Sequence, residues 1–417
     1  MIYNISGGRT LGGDIKIQGS KNALLPLMAA SILNKGITVL NNCPDITDVT
    51  LMADILRHVG CNVTEHSGTI CIDAAEINNN DIPDEYVRGM RGSMLFLGAL
   101  LARCKNVTMD YPGGCLIGPR PVNYHIDALK KMGAEIVYNE EKIDCRVSGR
   151  LIGTVIDLPF PSVGATENII IAGACAEGTT IINNAACEPE IEELCNYLSL
   201  LGVRIYGAGG KTIRITGPVK DTDVVYDIMS DRIVTGTYIC ASAITGGDIC
   251  CELNNDKVMN ELIWIYLNMG LKVECGNDYI KVHAKGRRIK SIPVITTGPY
   301  PAFPTDMQSQ LMSVMSVAHG KSIIEETVFE NRFHIANELI AMGADIKTDN
   351  NRAYIIGVRQ LYGTDVYAKD LRGGAALIIA GLAAYGQTRV HDPGYISRGY
   401  EHISEKINML GGSIHLE

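Results

Sequence analysis

The chain has 417 residues, 46% of them hydrophobic and 20% charged, with a formal net charge of −9. That is a globular composition with room for two or three domains, and it excludes a disordered chain. The acidic balance argues against nucleic acid or an anionic membrane as the main partner, because such binding needs clustered Lys and Arg.

Residues 1–18 carry no basic stretch followed by an apolar core, and no apolar run approaches the roughly 20 residues that span a bilayer. A cytoplasmic protein without membrane insertion is expected. The thirteen cysteines are odd in number and form no CxxC pair, which fits a reducing compartment and neither a zinc site nor a disulfide framework. The residues define no oligomeric state.

In chain order, Ile15-Lys16-Ile17 reads as a strand that precedes the first repeat and completes the last domain. Six helices that are apolar on nearly every face then follow, at 23–33, 94–102, 169–176, 234–243, 307–317 and 375–384. A helix without a polar face belongs inside a domain. Each is followed by a strand and a second, more amphipathic helix that ends in a hydrophobic-Gly pair, with the glycines at 60, 133, 202, 270, 343 and 411. Glycine beyond the last turn is the expected C-terminal cap.

The first three glycines recur in the last three at offsets of 210, 210 and 209 residues, so the chain is a tandem duplication of a three-repeat domain. The units are compact α/β repeats rather than an open solenoid. The expected domains are 21–229 and 1–20 plus 230–417, with a cleft between them as the active site.

One repeat is longer than the rest. From the opening of the middle strand to the marker glycine, the second repeat runs 27 residues (Asn106 to Gly133) where the other five run 22 to 24. The extra residues fall in Tyr111-Pro112-Gly113-Gly114-Cys115-Leu116-Ile117-Gly118-Pro119-Arg120-Pro121, a shaped loop that exposes a thiol and is a candidate lid. Most other thiols, such as Cys175 and Cys240, stand in apolar context and read as small buried hydrophobes.

Just before or at the starts of the apolar helices stand Lys21-Asn22, Arg91, Ser162-Val163-Gly164, Asp231-Arg232, Asp306, and Asp370 with Arg372. Helix N-termini offer free N–H groups and the positive end of the dipole, so added cations make anion sites for phosphate or carboxylate. Asp231 and Asp370 read equally well as simple helix caps. Lys21, Arg91, Arg120, Arg332, Arg372 and Arg398 make the candidate cationic set, with Cys115 and Asp306 as the groups able to move protons and Asp48 and Glu188 among the charges that support it.

Eight motifs in order carry a resemblance over essentially the whole chain: Gly19-Ser20-Lys21-Asn22-Ala23, Pro112-Gly113-Gly114-Cys115, Gly118-Pro119-Arg120-Pro121, Ser162-Val163-Gly164-Ala165-Thr166, Phe303-Pro304-Thr305-Asp306-Met307-Gln308, Phe329-Glu330-Asn331-Arg332-Phe333, Asp370-Leu371-Arg372 and Arg398-Gly399-Tyr400-Glu401. In these the chain resembles the UDP-N-acetylglucosamine enolpyruvyl transferases. The resemblance implies a two-domain inside-out α/β barrel of six βαβαββ units with buried helices. It also implies transfer of the enolpyruvyl group of phosphoenolpyruvate to the 3-hydroxyl of UDP-N-acetylglucosamine, by addition and elimination, with no cofactor and no metal. This is the first committed step of peptidoglycan synthesis.

By the same resemblance Cys115 donates the proton to phosphoenolpyruvate and Asp306 takes the hydroxyl proton. Lys21, Asn22, Arg120, Arg372 and Arg398 bind phosphoenolpyruvate, and Lys21 and Arg398 also count as catalytic. Asn22, Arg91, Arg120, Pro121, Val122, Asn123, Tyr124, Ser162, Val163, Gly164, Asp306 and Val328 bind the nucleotide sugar. Asp48, Glu188, Arg332 and Asp370 support the site. Many members carry a lysine at the position of Phe160 and an aspartate at that of Asn123, so the resemblance leaves the diphosphate and uracil contacts at these two positions open.

The alternatives are the sister transferase acting on shikimate 3-phosphate, which lacks the Pro-Gly-Gly-Cys lid, and a non-catalytic nucleotide-sugar-binding paralogue. A related RNA-end-processing enzyme needs a histidine motif and a basic track that the scattered histidines do not supply.

Overall fold

The structure, a computed structural model, describes residues 1–111, 122–139, 141–254, 259–287 and 289–417, and of Arg88 the backbone alone. Cys115, Arg120 and Pro121 lie outside the described residues.

These residues divide into two compact units, one made of Met1–Gln18 with Ser230–Glu417, the other of those between Gly19 and Met229. Among the described residues each unit holds three four-stranded sheets. One sheet runs in the order Val155–Asp157, Thr179–Asn183, Thr212–Thr216, Arg204–Tyr206. Its first pair is parallel, with Val155 opposite Ile181, and the other two pairs are antiparallel. The remaining five sheets each repeat one parallel and two antiparallel pairings.

Parallel neighbours need a crossover, and in four sheets a buried helix supplies it. In the other two the parallel strand comes from a distant part of the chain: Gly12–Lys16 lies along Asp248–Glu252, and Val224–Asp227 along Ile37–Asn41. Each of these strands therefore stays in the unit that the chain is about to leave. Sequence reasoning missed one strand, Ile2–Ser6, which pairs antiparallel with Gln387–His391 and Ile414–Leu416 and buries Tyr3 and Ile5. Its signal is two alternating apolar residues before a glycine-rich stretch, too short to stand out.

The buried helices, in chain order, are α1 (Lys21–Ala30), α2 (Leu95–Cys104), α3 (Val163–Gly173), α4 (Arg232–Thr245), α5 (Gln308–Met315) and α6 (Leu371–Ala383). In α6 every residue from Arg372 to Leu382 is buried. Within one unit α2 packs on α1 and α3, and within the other α4, α5 and α6 pack on one another. At Gly98 of α2 the neighbouring helix leaves no room for a side chain: a Cβ there would stand 2.2 Å from Oδ1 of Asn168 on α3.

Four of the six helices start earlier than their apolar runs, because polar caps add a turn. Ser20 Oγ accepts the Ala23 N–H at 3.3 Å, and Ser162 Oγ that of Ala165 at 3.4 Å. Asp231 Oδ1 accepts from Ile233 and Val234 at 2.8 and 3.0 Å, and Asp370 Oδ1 from Arg372 and Gly373, both at 2.9 Å. Both aspartates thus act as caps, which satisfy N–H groups that the helix leaves free. The caps place Lys21, Arg232 and Arg372 inside the first turn.

The outer helices end at the marker glycines, all with positive φ: Gly60 at 111°, Gly133 at 94°, Gly202 at 82°, Gly270 at 90°, Gly343 at 94° and Gly411 at 91°. Only glycine adopts that conformation without cost, which explains its recurrence at the same place in each repeat.

Candidate active site

The two units carry separate sets of candidate groups. In the unit between Gly19 and Met229, Lys21 opens α1 and its Nζ meets Asp48 Oδ2 at 3.0 Å; Asp48, in the first turn of Thr47–His58, is buried. Asn22 follows, and Pro26, one turn on, supplies no N–H to the Asn22 carbonyl. Arg91 begins the 3₁₀ turn Arg91–Met94 that leads into α2.

Ser162, Val163 and Gly164 form the half-buried N-terminus of α3, where the Phe160 carbonyl accepts the Ser162 N–H at 2.7 Å. Val122 is buried, whereas Asn123, the first residue of Asn123–Lys131, is exposed and Tyr124 half-buried.

Three buried groups here escaped sequence reasoning. Asn168 Oδ1 accepts the Gly98 N–H at 2.7 Å and its Nδ2 donates to the Met94 carbonyl at 2.8 Å, which sets the amide's orientation. The same Nδ2 lies 3.0 Å from His125 Nδ1, so that nitrogen must accept and the proton sits on Nε2. Burial, helped by Arg91, lowers the His125 pKa from 6.5 to about 3, which makes it a neutral ring beside the start of α3. On α3 itself Glu167 is buried, and burial followed by the charges of Glu190 and Glu188 raises its pKa well above the usual carboxylate value. A polar residue within an apolar helix run was the available signal for both Asn168 and Glu167.

In the unit of Met1–Gln18 with Ser230–Glu417, Asp306 lies in the 3₁₀ turn Thr305–Met307 that enters α5. Its Oδ1 accepts from Arg332 Nη2 at 2.9 Å, and its Oδ2 from Arg372 Nε and Nη2 at 3.2 and 3.0 Å. Three of the predicted residues are thereby brought together, with Asp370 capping the same turn that holds Arg372. Burial disfavours the Arg372 charge, but the negative charges of Asp306 and Asp231, with the hydrogen bond to the Tyr400 hydroxyl, outweigh it and hold the pKa above the ordinary arginine value.

Glu326, also absent from the sequence reading, organises this loop. Its Oε1 accepts from Thr297 Oγ1 and the Val328 N–H at 2.9 and 2.8 Å, and its Oε2 from Thr305 Oγ1 at 2.9 Å. One buried carboxylate thus ties the residue before Asp306 to Val328. Arg398 closes the 3₁₀ turn Ile396–Arg398 and is half-buried.

Of the thiols, burial pushes the pKa of Cys240 up to about 12 and that of Cys175 to about 11, which removes them from thiolate chemistry near neutral pH. Among the described residues no group of acidic, His and Cys side chains is arranged to hold a metal ion. No helix among them is long and apolar enough to cross a membrane.

The chain is similar to known proteins over nearly its whole length. The family described as EPSP synthase (3-phosphoshikimate 1-carboxyvinyltransferase) matches residues 5–407. The chain belongs to the EPSP synthase family of enolpyruvyl (1-carboxyvinyl) transferases. Among other members, the UDP-N-acetylglucosamine 1-carboxyvinyltransferase 2 of Caldanaerobacter subterraneus subsp. tengcongensis is 46% identical over 412 residues, 99% of this chain and 98% of that protein.

The family's fold is equally evident. The enolpyruvyl transferase NikO from Streptomyces tendae superposes with a TM-score of 0.90 at 25% identity, over 99% of this chain and 98% of that one. An EPSP synthase from Acinetobacter baumannii, 20% identical, shares the fold with a TM-score of 0.77 over the full length of both chains.

Proposed function

We propose that this chain transfers the enolpyruvyl group of phosphoenolpyruvate to the 3-hydroxyl of UDP-N-acetylglucosamine and releases phosphate, in the cytoplasm, as the first committed step of peptidoglycan synthesis. The observation that carries the reading is the Asp306–Arg372–Arg332 cluster: a carboxylate able to take a hydroxyl proton, hydrogen-bonded to an arginine fork that suits a substrate carboxylate. The 46% identity to a protein of that name supports the choice of acceptor.

In this reading Cys115 protonates the methylene carbon of phosphoenolpyruvate, and positive charge develops on the adjacent carbon. The sugar hydroxyl attacks that carbon while Asp306 takes its proton. The Cys115 thiolate then takes back one of the methyl protons, the carbon–oxygen bond to phosphate breaks, and the enol ether is restored on the sugar. Lys21, Arg120 and Arg398 hold the phosphate through both steps, and Asn22 completes that set.

The substrate carboxylate takes over the Arg372 fork that Asp306 fills in the structure, which leaves Asp306 with Arg332 and the hydroxyl proton. Asn22, Arg91, Arg120 to Tyr124, Ser162, Val163, Gly164, Asp306 and Val328 hold the nucleotide sugar. The free N–H groups at the start of α3 suit its diphosphate.

The test is phosphate release from phosphoenolpyruvate by purified protein, with UDP-N-acetylglucosamine and shikimate 3-phosphate compared side by side. Release with the nucleotide sugar alone is expected. Equal release with shikimate 3-phosphate, or none with either, overturns the reading.

A further inference from the structure

Arg372 reaches a second group besides Asp306. Its Nη1 points to the Tyr400 hydroxyl at 3.4 Å, and its guanidinium carbon stands 5.7 Å from the centre of the Tyr400 ring. Tyr400 is buried, as are the two side chains that meet its hydroxyl, Thr237 on α4 and Gln310 on α5. Tyr400 thus touches one side chain from each of the three buried helices of its unit.

The protons in this cluster can be assigned one by one. Thr237 Oγ1 gives its proton to the Ile233 carbonyl at 2.7 Å, one turn back along α4. The 2.9 Å contact between Thr237 Oγ1 and the Tyr400 hydroxyl is then donated by Tyr400. Gln310 Nε2 has two hydrogens and donates one to each oxygen, both at 3.2 Å. Thr237 has now filled its donor and both acceptor positions. Tyr400 has spent its donor and one lone pair, and the lone pair that remains is the one facing Arg372.

The backbone of Tyr400 is held as firmly. The Gln18 side-chain amide donates to the Gly399 carbonyl at 3.1 Å and accepts the Glu401 N–H at 2.9 Å. It brackets Tyr400 on both sides, two residues after Arg398.

We propose that Tyr400 is a positioning residue for phosphoenolpyruvate: its hydroxyl, oriented by Thr237 and Gln310, aims the Arg372 fork at the substrate carboxylate without touching substrate itself. This rests on the role given to Arg372 in the proposed reaction. A guanidinium that loses one of its holding contacts keeps its charge but not its aim, so the cost falls on the ligand whose planar carboxylate it must match.

The test is Tyr400→Phe in the full chain, which keeps the ring and removes only the oxygen. The KM for phosphoenolpyruvate is expected to rise about tenfold, the scale of one hydrogen bond to a charged group, while the KM for UDP-N-acetylglucosamine stays within about twofold. Thr237→Val, which removes the acceptor that orients the hydroxyl, is expected to move the same constant, and Thr237→Ser, which keeps the oxygen, to restore it.

An unchanged KM for phosphoenolpyruvate in both Tyr400→Phe and Thr237→Val, with only the melting temperature lowered, overturns the inference and leaves a packing role. Failure of the unmodified chain to release phosphate overturns the proposed function instead, and this inference with it.

Discussion

Lowering the pH is expected to strip stability from the unit that contains His125, through that one ring. His125 Nδ1 accepts from Asn168, and burial with the nearby Arg91 charge lowers its pKa from 6.5 to about 3. The folded protein therefore keeps the ring neutral, while the unfolded chain protonates it near pH 6.5. Because the folded value is the depressed one, the contribution is complete above about pH 6.5 and is lost as the pH falls from there toward 3.

At 1.36 kcal/mol per pH unit, the roughly 1.5 units between pH 6.5 and pH 5 amount to about 2 kcal/mol. Urea unfolding near pH 7.5 and near pH 5 measures it, with His125→Gln as the protein from which this linkage has been removed. The original chain should lose about 2 kcal/mol more than the variant between the two pH values. Equal losses, or a His125 ring whose NMR signals titrate between about pH 5 and 8, would refute the reasoning.

Gly133→Ala isolates the backbone cost of the repeat marker, because φ is 94° and nothing lies within 4 Å of the added methyl. It should destabilise by about 1–2 kcal/mol, read from the urea midpoint. Asp370→Ala removes the acceptor for two N–H groups of α6 and should cost about 1 kcal/mol, and Asp370→Asn, which keeps an acceptor, visibly less. Treatment with an epoxide phosphonate such as fosfomycin should inactivate the enzyme through Cys115, and full activity after treatment would remove that thiol from the mechanism. Asp306→Asn should leave nucleotide-sugar binding largely intact while turnover falls about 100-fold or more, the scale of a lost general base; steady-state kinetics with calorimetric binding separates the two.

What could be read in advance followed from local rules that each repeat obeys in the same way. The marker glycines sit where a helix must turn into a strand with positive φ, so their spacing exposes the duplication. Buried helices declare themselves by lacking a polar face, and the polar residues at their entries pointed to Lys21, Asp306 and Arg372 before any distance was available.

The helix starts were misplaced because Ser20, Ser162, Asp231 and Asp370 act through side-chain bonds to N–H groups that an apolar pattern does not register. The supporting network was harder still. Gln310 is adjacent to neither Thr237 nor Tyr400 in sequence, 73 and 90 residues away, and only the packing of three helices brings them together. Glu326 and Asn168 act likewise, as single polar residues whose partners come from other segments.

In the proposed reaction phosphoenolpyruvate becomes a methyl-bearing adduct on the sugar before phosphate departs. The most direct test is the proton NMR spectrum of the reaction run in heavy water with phosphoenolpyruvate and UDP-N-acetylglucosamine. The account predicts vinyl resonances on the nucleotide sugar that are weakened by deuterium, because a solvent-exchanged proton enters at the methylene carbon and any of the methyl hydrogens can leave. A vinyl product free of deuterium, or phosphate released without a vinyl group on the sugar, would contradict it.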